Sequence, residues 1–227
     1  MVSYNKKIQG PPMATEDFFK LCKSGTFKEV QVAIKSGVNV NARNEYGVTP
    51  LMFAVEYNED REVIKTLINA GADVNAEDES DKTPLMYASE YCKNEKIVKL
   101  LLRSRAEINA RNKYGEISLM HGAWNANSEI TKLLIQAGAE VNVQDLHGRT
   151  SLMKAAGYNE NAEVIRLLLE AGENVNVADN EGKTSLMYAA ENNSNVEVVS
   201  LLLNAGADIN AVDYLGNNVL MAAGSNW

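Results

Sequence analysis

A short segment recurs along the chain at a nearly fixed spacing. The segment Gly-Lys-Thr-Ser-Leu-Met-Tyr-Ala-Ala at 182–190 has variant forms elsewhere, and its leucine recurs in steps of 34, 34, 33, 34 and 34 residues. The recurring leucines are Leu51, Leu85, Leu119, Leu152, Leu186 and Leu220. A period in this range predicts an array of similar units, because one unit of this size cannot bury its apolar face alone.

Each period predicts two helices followed by a turn. Thr49 can cap a helix with its hydroxyl, and Pro50 suits the first helical position, so this helix is expected to run through about Tyr57. The second helix carries an apolar stripe at helical spacing, made by Val63, Ile64, Leu67 and Ile68. Gly71 is predicted to end it with a positive φ, and Gly138, Gly172 and Gly206 repeat the device.

Two segments of each period resemble the ankyrin repeat family. The front segment is Thr-Pro-Leu at 49–51 and 83–85, and the back segment is Gly-Ala-Asp-Val-Asn-Ala at 71–76 and Gly-Ala-Asp-Ile-Asn-Ala at 206–211. The resemblance covers about residues 15–227. It implies an all-α solenoid of about six to seven stacked helix-turn-helix units with short finger hairpins.

Aligning the periods divides the chain into a tail and seven repeats. Residues 1–14 are expected to form a flexible tail, 15–43 a capping first repeat, and 213–227 a truncated last repeat. Five full repeats lie between them, at 44–77, 78–111, 112–144, 145–178 and 179–212. The last repeat holds one predicted helix, so either the chain is a piece of a longer protein or Trp227 covers the end of the array.

The sequence departs from the family at the position after Thr-Pro-Leu, where the family usually has histidine. Methionine stands there in six repeats, as Met52, Met86, Met120, Met153, Met187 and Met221. We expect these side chains to pack between repeats, with thioether packing in place of histidine hydrogen bonds. A soft-metal or peptide-binding surface is the alternative.

Repeats three and four break the pattern. Asp81 stands where other repeats have the turn glycine, and Arg105 where they have the helix-ending glycine. An arginine forced into the left-handed region costs roughly 1–2 kcal/mol. Repeat four is one residue short and carries Gly122 in place of alanine. These irregularities indicate either drift that packing tolerates or a binding contact at the centre of the array.

Cys22 and Cys92 fall in the first and third repeats. Helix packing separates such repeats by more than a disulfide can span, so both are expected to be free thiols. Free thiols suit a reducing compartment, and no apolar segment follows the first lysines, so the chain is expected to be cytoplasmic.

The resemblance implies that a protein partner binds the concave side, which consists of the finger tips and the exposed face of each first helix. Carried over position by position, it predicts a set of mostly aromatic partner-binding residues: Tyr46, Phe53, Tyr57, Tyr87, Tyr91, Tyr114, His121, Trp124, His147, Arg149, Tyr158, Tyr188 and Tyr214. Tryptophan, tyrosine and arginine dominate interface hot spots. Partial burial of these side chains between repeats is the alternative.

The net charge and the lack of complete motifs argue against nucleic-acid binding, phosphate binding and metal binding. A net charge of −8 disfavours nucleic acid, since phosphate binding needs a sustained basic surface. Gly182-Lys183-Thr184 lacks the earlier glycine of a phosphate-binding loop, and His121 and His147 lie in different repeats without a spaced ligand set. We therefore expect no enzymatic activity, no cofactor or metal, and no insertion into a membrane.

These observations together predict a monomeric protein–protein interaction module or adaptor that binds a protein partner on its concave face. The alternative functions are a regulatory or targeting region of a larger multidomain protein or enzyme, and an effector delivered into another cell.

Overall fold

The fold is an all-α array, as the period predicts. The computed structural model describes residues 13–224, which form thirteen α-helices and contain no β-sheet. Most of the predicted tail lies outside these residues, and so does Trp227. The helices are α1 (Thr15–Ser24), α2 (Phe27–Lys35), α3 (Pro50–Tyr57), α4 (Arg61–Asn69), α5 (Pro84–Tyr91), α6 (Glu95–Arg103), α7 (Ser118–Gly122), α8 (Ser128–Gln136), α9 (Ser151–Tyr158), α10 (Ala162–Glu170), α11 (Ser185–Asn192), α12 (Val196–Asn204) and α13 (Val219–Gly224).

The helices lie in two rows. The first helices of successive repeats pack on each other from α1 through α13, and the second helices form a parallel row from α2 through α12. Within a repeat, the first helix also packs on the second, as α3 does on α4 and α11 on α12. Leu51, Leu85 and Leu152 are fully buried in the one apolar core that follows both rows. Each such leucine contributes roughly 1.5–3 kcal/mol when a neighbouring repeat covers it.

Threonine caps set the start of most first helices, and methionine completes two of them. The Thr49 hydroxyl accepts the Met52 N–H at 3.3 Å, and Thr150 accepts the Met153 N–H at 3.3 Å. The methionine sulfurs accept in return, from the Thr49 N–H at 3.4 Å and the Thr150 N–H at 3.5 Å. This is a capping box with sulfur in place of a carboxylate. Met52 and Met153 therefore pack as predicted, and their sulfurs also accept hydrogen bonds, which the sequence did not predict.

The methionine row belongs to the core, except at its last member. Five of the six side chains are buried: Met52, Met86, Met120, Met153 and Met187. Met221 is 59% exposed. It lies in α13, and no helix of the described residues follows α13, so the predicted packing is wrong at this position.

Asparagines tie each repeat to the next. Asn41 accepts the Asp73 N–H at 2.8 Å and donates its amide to the Gly71 carbonyl at 2.9 Å. The same two bonds recur at Asn75, Asn109, Asn142 and Asn176. Each of these asparagines follows a valine or isoleucine at the end of its repeat. The segment that closes one repeat is thus bonded to the helix end of the following repeat.

The backbone departs from regularity in repeats three and four. Asp81 and Arg105 have φ values of 59° and 67°, as the missing glycines predict, and Asn142 has an unpredicted φ of 62°. The one-residue deletion of repeat four shortens α7 to five residues, whereas α3 has eight. A Cβ on Gly122 would lie 2.8 Å from a Leu134 methyl carbon, so glycine lets α8 approach this shortened helix closely.

A second row of asparagines follows the first helices, and Cys92 interrupts it. Asn193 donates its amide to the carbonyls of Ala156 at 2.9 Å and Asn159 at 3.0 Å. Asn58, Asn125 and Asn159 make similar bonds to the preceding repeat. In repeat three this position is Cys92, whose single donor bonds the Val55 carbonyl at 3.1 Å. Cys92 and Cys22 are buried free thiols, which confirms the prediction.

Replacing Arg105 by glycine should stabilise the array. The left-handed conformation costs a side chain about 1 kcal/mol, which corresponds to a rise in melting temperature of roughly 2–4 °C. Thermal unfolding measures this change. Gly172→Arg is the reverse control, because Gly172 has a φ of 90° and open space around its Cβ position. An unchanged or lower melting temperature for Arg105→Gly would show that the arginine makes a compensating contact.

Replacing Cys92 by asparagine should complete the second row of asparagines. Its amide could donate to the carbonyls of Val55 and Asn58, which match the two acceptors of Asn193. A cavity of about 190 Å³ borders all three residues and leaves room for the amide. We expect the free energy of unfolding to rise by about 1 kcal/mol in urea titrations. Asn159→Cys should lower it, and a loss of stability in Cys92→Asn would contradict the prediction.

Candidate protein-binding surface

Six finger loops and the outward side of the first helices form one face of the array, which we call the finger face. The loops are residues 44–48, 78–82, 112–116, 145–149, 179–183 and 213–217. Each begins with an aspartate or asparagine whose side chain holds the loop closed. The Asn44 side-chain oxygen accepts the N–H groups of Tyr46 and Val48, both at 3.0 Å, and every other loop repeats this pair of bonds.

Backbone hydrogen bonds join neighbouring fingers. The Glu79 N–H donates to the Tyr46 carbonyl at 3.0 Å, and the Leu146 N–H to the Tyr114 carbonyl at 2.9 Å. Similar bonds join the other neighbouring loops. The finger tips are therefore fixed relative to each other, and the side chains they carry are presented at set spacings.

The structure places most of the predicted partner-binding residues at the surface of the finger face. The exposed ones are Tyr46, Tyr57, Tyr91, Tyr114, Trp124, His147, Tyr158 and Tyr214. Phe53, Arg149 and Tyr188 are half-buried. Tyr87 and His121 are buried, so they support the face and offer little surface of their own.

Aromatic rings of the first helices and of the turn that follows α7 contact one another along the face. The centroids of Phe53 and Tyr57 lie 4.9 Å apart, and those of Trp124 and Tyr158 lie 6.2 Å apart, both in edge-to-face geometry. Trp124 is 45% exposed, and the Lys154 ammonium lies 5.4 Å from its ring centroid. These contacts hold large rings in place while part of each ring stays open to solvent.

A network of ion pairs lies under the centre of the face and begins in repeats three and four. The Lys82 ammonium lies 2.8 Å from the Glu90 carboxylate, which also contacts His121 Nδ1 at 2.9 Å. His121 Nε2 lies 3.5 Å from Glu116. His121 thus bridges carboxylates of two repeats, although the sequence predicts a partner-binding role for it.

The ion-pair network continues into repeat five. Lys154 is 3% exposed, and its ammonium contacts Glu116 at 2.8 Å and Asp145 at 3.0 Å. Arg149 Nε contacts the same Asp145 oxygen at 3.1 Å. No pattern that we drew from the sequence predicted this network. The sequence does contain one pattern that could have indicated it. A charged residue, Lys82, Glu116 or Arg149, stands just before the helix-capping position in each of repeats three to five.

The network lowers the pKa of its carboxylates. Burial alone would raise the pKa of Glu90, but hydrogen bonds from His121 and Lys82 lower it to about 2. Lys154 similarly overcomes the effect of burial at Glu116, and it acts with Arg149 to lower the pKa of Asp145. These carboxylates are ionised at neutral pH, so the network joins three repeats electrostatically under the exposed aromatic rings.

The described residues show neither a metal site nor a membrane span. No three histidine, cysteine, aspartate or glutamate side chains within residues 13–224 are grouped so that they could hold a metal ion. Over the same residues, no helix is both long enough and apolar enough to cross a bilayer.

Models of ankyrin repeats match the chain over most of its length. A model of three ankyrin repeats matches residues 18–112 and again residues 119–213. A second model, of many ankyrin repeats, matches residues 93–135. No curated protein matches the chain.

The network should make the fold sensitive to acid. The pKa of Glu90 is lower in the folded chain than its ordinary value of 4.5, so its contribution to stability is present above about pH 4.5 and is lost as the pH falls toward 2. We expect the free energy of unfolding, from urea titrations at several pH values, to decrease over this range. Glu90→Gln should show a shallower decrease. An equally steep decrease in the variant would contradict this assignment.

Proposed function

The chain belongs to the ankyrin repeat family, and from this premise we propose that it holds a protein partner on its finger face. Ankyrin repeats are a protein-binding module in general and are not catalytic. The proposal goes further, because it names the face and the side chains that make the contact.

The observation that carries the proposal is the row of exposed aromatic rings at the C-terminal ends of the first helices, or just beyond the end in the case of Trp124. Tyr57, Tyr91, Trp124 and Tyr158 lie in successive repeats, and each is at least 44% exposed. The apolar core between repeats is built from other side chains, so the stack does not require these rings. Large aromatic side chains at a fixed spacing are typical of binding hot spots.

The rigidity of the face also favours binding. Neighbouring fingers are bonded through their backbones, and the buried network beneath them fixes the first helices of repeats three to five. A partner would therefore meet a surface that needs little ordering on association, which lowers the entropic cost.

The chemistry of the face favours protein over nucleic acid. Its early repeats present the carboxylates of Glu45, Glu56 and Glu79, which would repel phosphates. We further propose a monomeric adaptor that acts in the cytoplasm, since both cysteines are free thiols, as a reducing compartment would keep them.

Affinity capture from a lysate of the source organism tests the proposal. Immobilised native chain should retain a protein that, once identified and purified, binds the Tyr91→Ala/Trp124→Ala variant about tenfold or more weakly. The matched control is Val32→Ala/Val196→Ala, which changes exposed side chains on the second helices. Only variants whose melting temperature equals that of the native chain are compared.

Two results would overturn the proposal. If the aromatic variant binds the purified partner as tightly as the native chain, the partner uses another face. If the control variant loses binding instead, the second helices form the interface.

A further inference from the structure

A cavity of about 430 Å³ opens on the finger face between the fingers of repeats two and three, which are the first and second finger loops. Its walls come from both fingers and from the first helices of repeats two and three. The lining residues are Asn44, Tyr46, Val48, Phe53, Glu56, Tyr57, Asp78, Glu79, Ser80 and Tyr87. Four of them are aromatic, three carry carboxylates, and none is basic. We call it the acidic aromatic cavity.

Glu56 lacks the lysine that its equivalents have in other repeats. In repeat three, Lys82 stands eight residues before Glu90 and pairs with it at 2.8 Å. In repeat six, Lys183 stands eight residues before Glu191 and pairs with it at 2.9 Å. Repeat two keeps the glutamate but has Val48 in place of the lysine.

Repeat two also lacks a tyrosine–aspartate hydrogen bond that repeats three and six have at the equivalent positions. In repeat three, the Tyr87 hydroxyl donates to the Asp78 carboxylate at 2.8 Å, and in repeat six Tyr188 donates to Asp179 at 2.7 Å. The matching pair in repeat two is Phe53 and Asn44, which carry no hydroxyl and no charge. Glu56 therefore lines the cavity together with Val48 and Phe53, without the cation that accompanies its equivalents in repeats three and six.

A cavity at the same register between the fingers of repeats five and six contains a cationic side chain. It measures about 180 Å³ and is lined by His147, Arg149, Asp179, Asn180, Glu181 and Tyr188. Arg149 takes the position that Val48 holds in repeat two, and it pairs with Asp145 at 3.1 Å. Where the chain supplies its own cation, the cavity is smaller and is lined by an arginine as well as by carboxylates. The acidic aromatic cavity has the space and the negative charge but not the cation.

Rings of this cavity already attract cations from outside it. The Lys23 ammonium lies 4.5 Å from the Tyr57 ring centroid, and the Lys82 ammonium lies 4.7 Å from that of Tyr87. Neither lysine lines the cavity, and Lys82 is paired with Glu90. Tyr46 lines the cavity and is 62% exposed, so its ring can be reached from solvent. The carboxylate of Glu56 beside Tyr57 raises the pKa of the tyrosine hydroxyl, and burial adds to this effect.

We propose that the acidic aromatic cavity binds an arginine side chain of the protein partner. The proposal rests on the proposed function of the finger face and adds the chemistry of one contact. A guanidinium is flat, stacks on aromatic rings and can donate to two carboxylates from one plane, so it suits rings flanked by Glu56 and Glu79. Lysine offers the charge without the planar fork and should bind more weakly.

The test uses small probes, so it does not depend on finding the partner. N-acetyl-arginine amide is titrated into the native chain, and the ring resonances of Tyr46 and Tyr57 are followed by NMR. We expect saturable shifts in the millimolar range. N-acetyl-citrulline amide has nearly the same shape without the charge and should produce no saturable shift. N-acetyl-lysine amide should bind more weakly than the arginine probe.

Three variants locate the binding. Val48→Lys supplies the cation that Lys82 and Lys183 supply elsewhere, so it should pair with Glu56, keep the fold and weaken arginine binding by about tenfold or more. Glu79→Gln removes one lining carboxylate and should also weaken it. Glu45→Gln makes the same charge change on an exposed side chain outside the cavity and should leave arginine binding unchanged.

The outcomes separate this proposal from the proposed function. Equal binding of the arginine and citrulline probes, or equal binding of arginine to the native chain and Val48→Lys, would overturn the arginine site. If arginine fails to bind while the captured partner still requires Tyr91 and Trp124, the finger face remains the interface and the arginine proposal alone is wrong. If Val48→Lys unfolds, Glu79→Gln against Glu45→Gln decides the question.

Discussion

Burial of each repeat's apolar helix faces against the next repeat holds the array together. The core follows both helix rows without a break, and no single repeat could cover its own leucines. The polar features depend on this stacking. The Asn75 side chain bonds the repeat that follows it only because the core places the carbonyl of Arg105 and the N–H of Glu107 within reach. Such bonds fix the register between repeats, and this register sets the spacing of the finger loops.

The finger face shows how a constant frame carries variable chemistry. Each loop is closed by the same aspartate or asparagine bonds, yet the residue before the helix cap is Val48 in repeat two, Glu116 in repeat four and Arg149 in repeat five. In repeats three to five these positions and their neighbours build a buried ion-pair network, which supports the exposed rings above it. In repeat two, Val48 at this position leaves the carboxylate of Glu56 without a lysine partner, beside aromatic rings that line the cavity. Recognition chemistry can therefore change from repeat to repeat while the stacking stays the same.

Much of the fold could be predicted from the sequence, because its signals are local. The extent of α3, the end of α4 just before Gly71 and the positive φ of Arg105 all follow from caps and glycine positions. The candidate site was predictable only as a set of positions. Glu173 illustrates what was missed: it replaces the small alanine of other repeats, yet it is buried and accepts the Leu152 N–H at 2.8 Å in the first turn of α9. Its partner lies 21 residues away, beyond any local pattern.

The sequence by itself determined the period, the two helices of each repeat, the turns and the family, because caps, glycines and apolar stripes act within one repeat. Only the tertiary structure decided which aromatic side chains are open and which charges are paired. Lys154 meets Glu116 across 38 residues, and His121 meets Glu90 across 31. Such contacts depend on the rise and rotation between stacked repeats, which bring side chains of different repeats together at distances that no single repeat encodes. That is why His121 lies buried in the network while Trp124, three residues later, stays exposed to solvent.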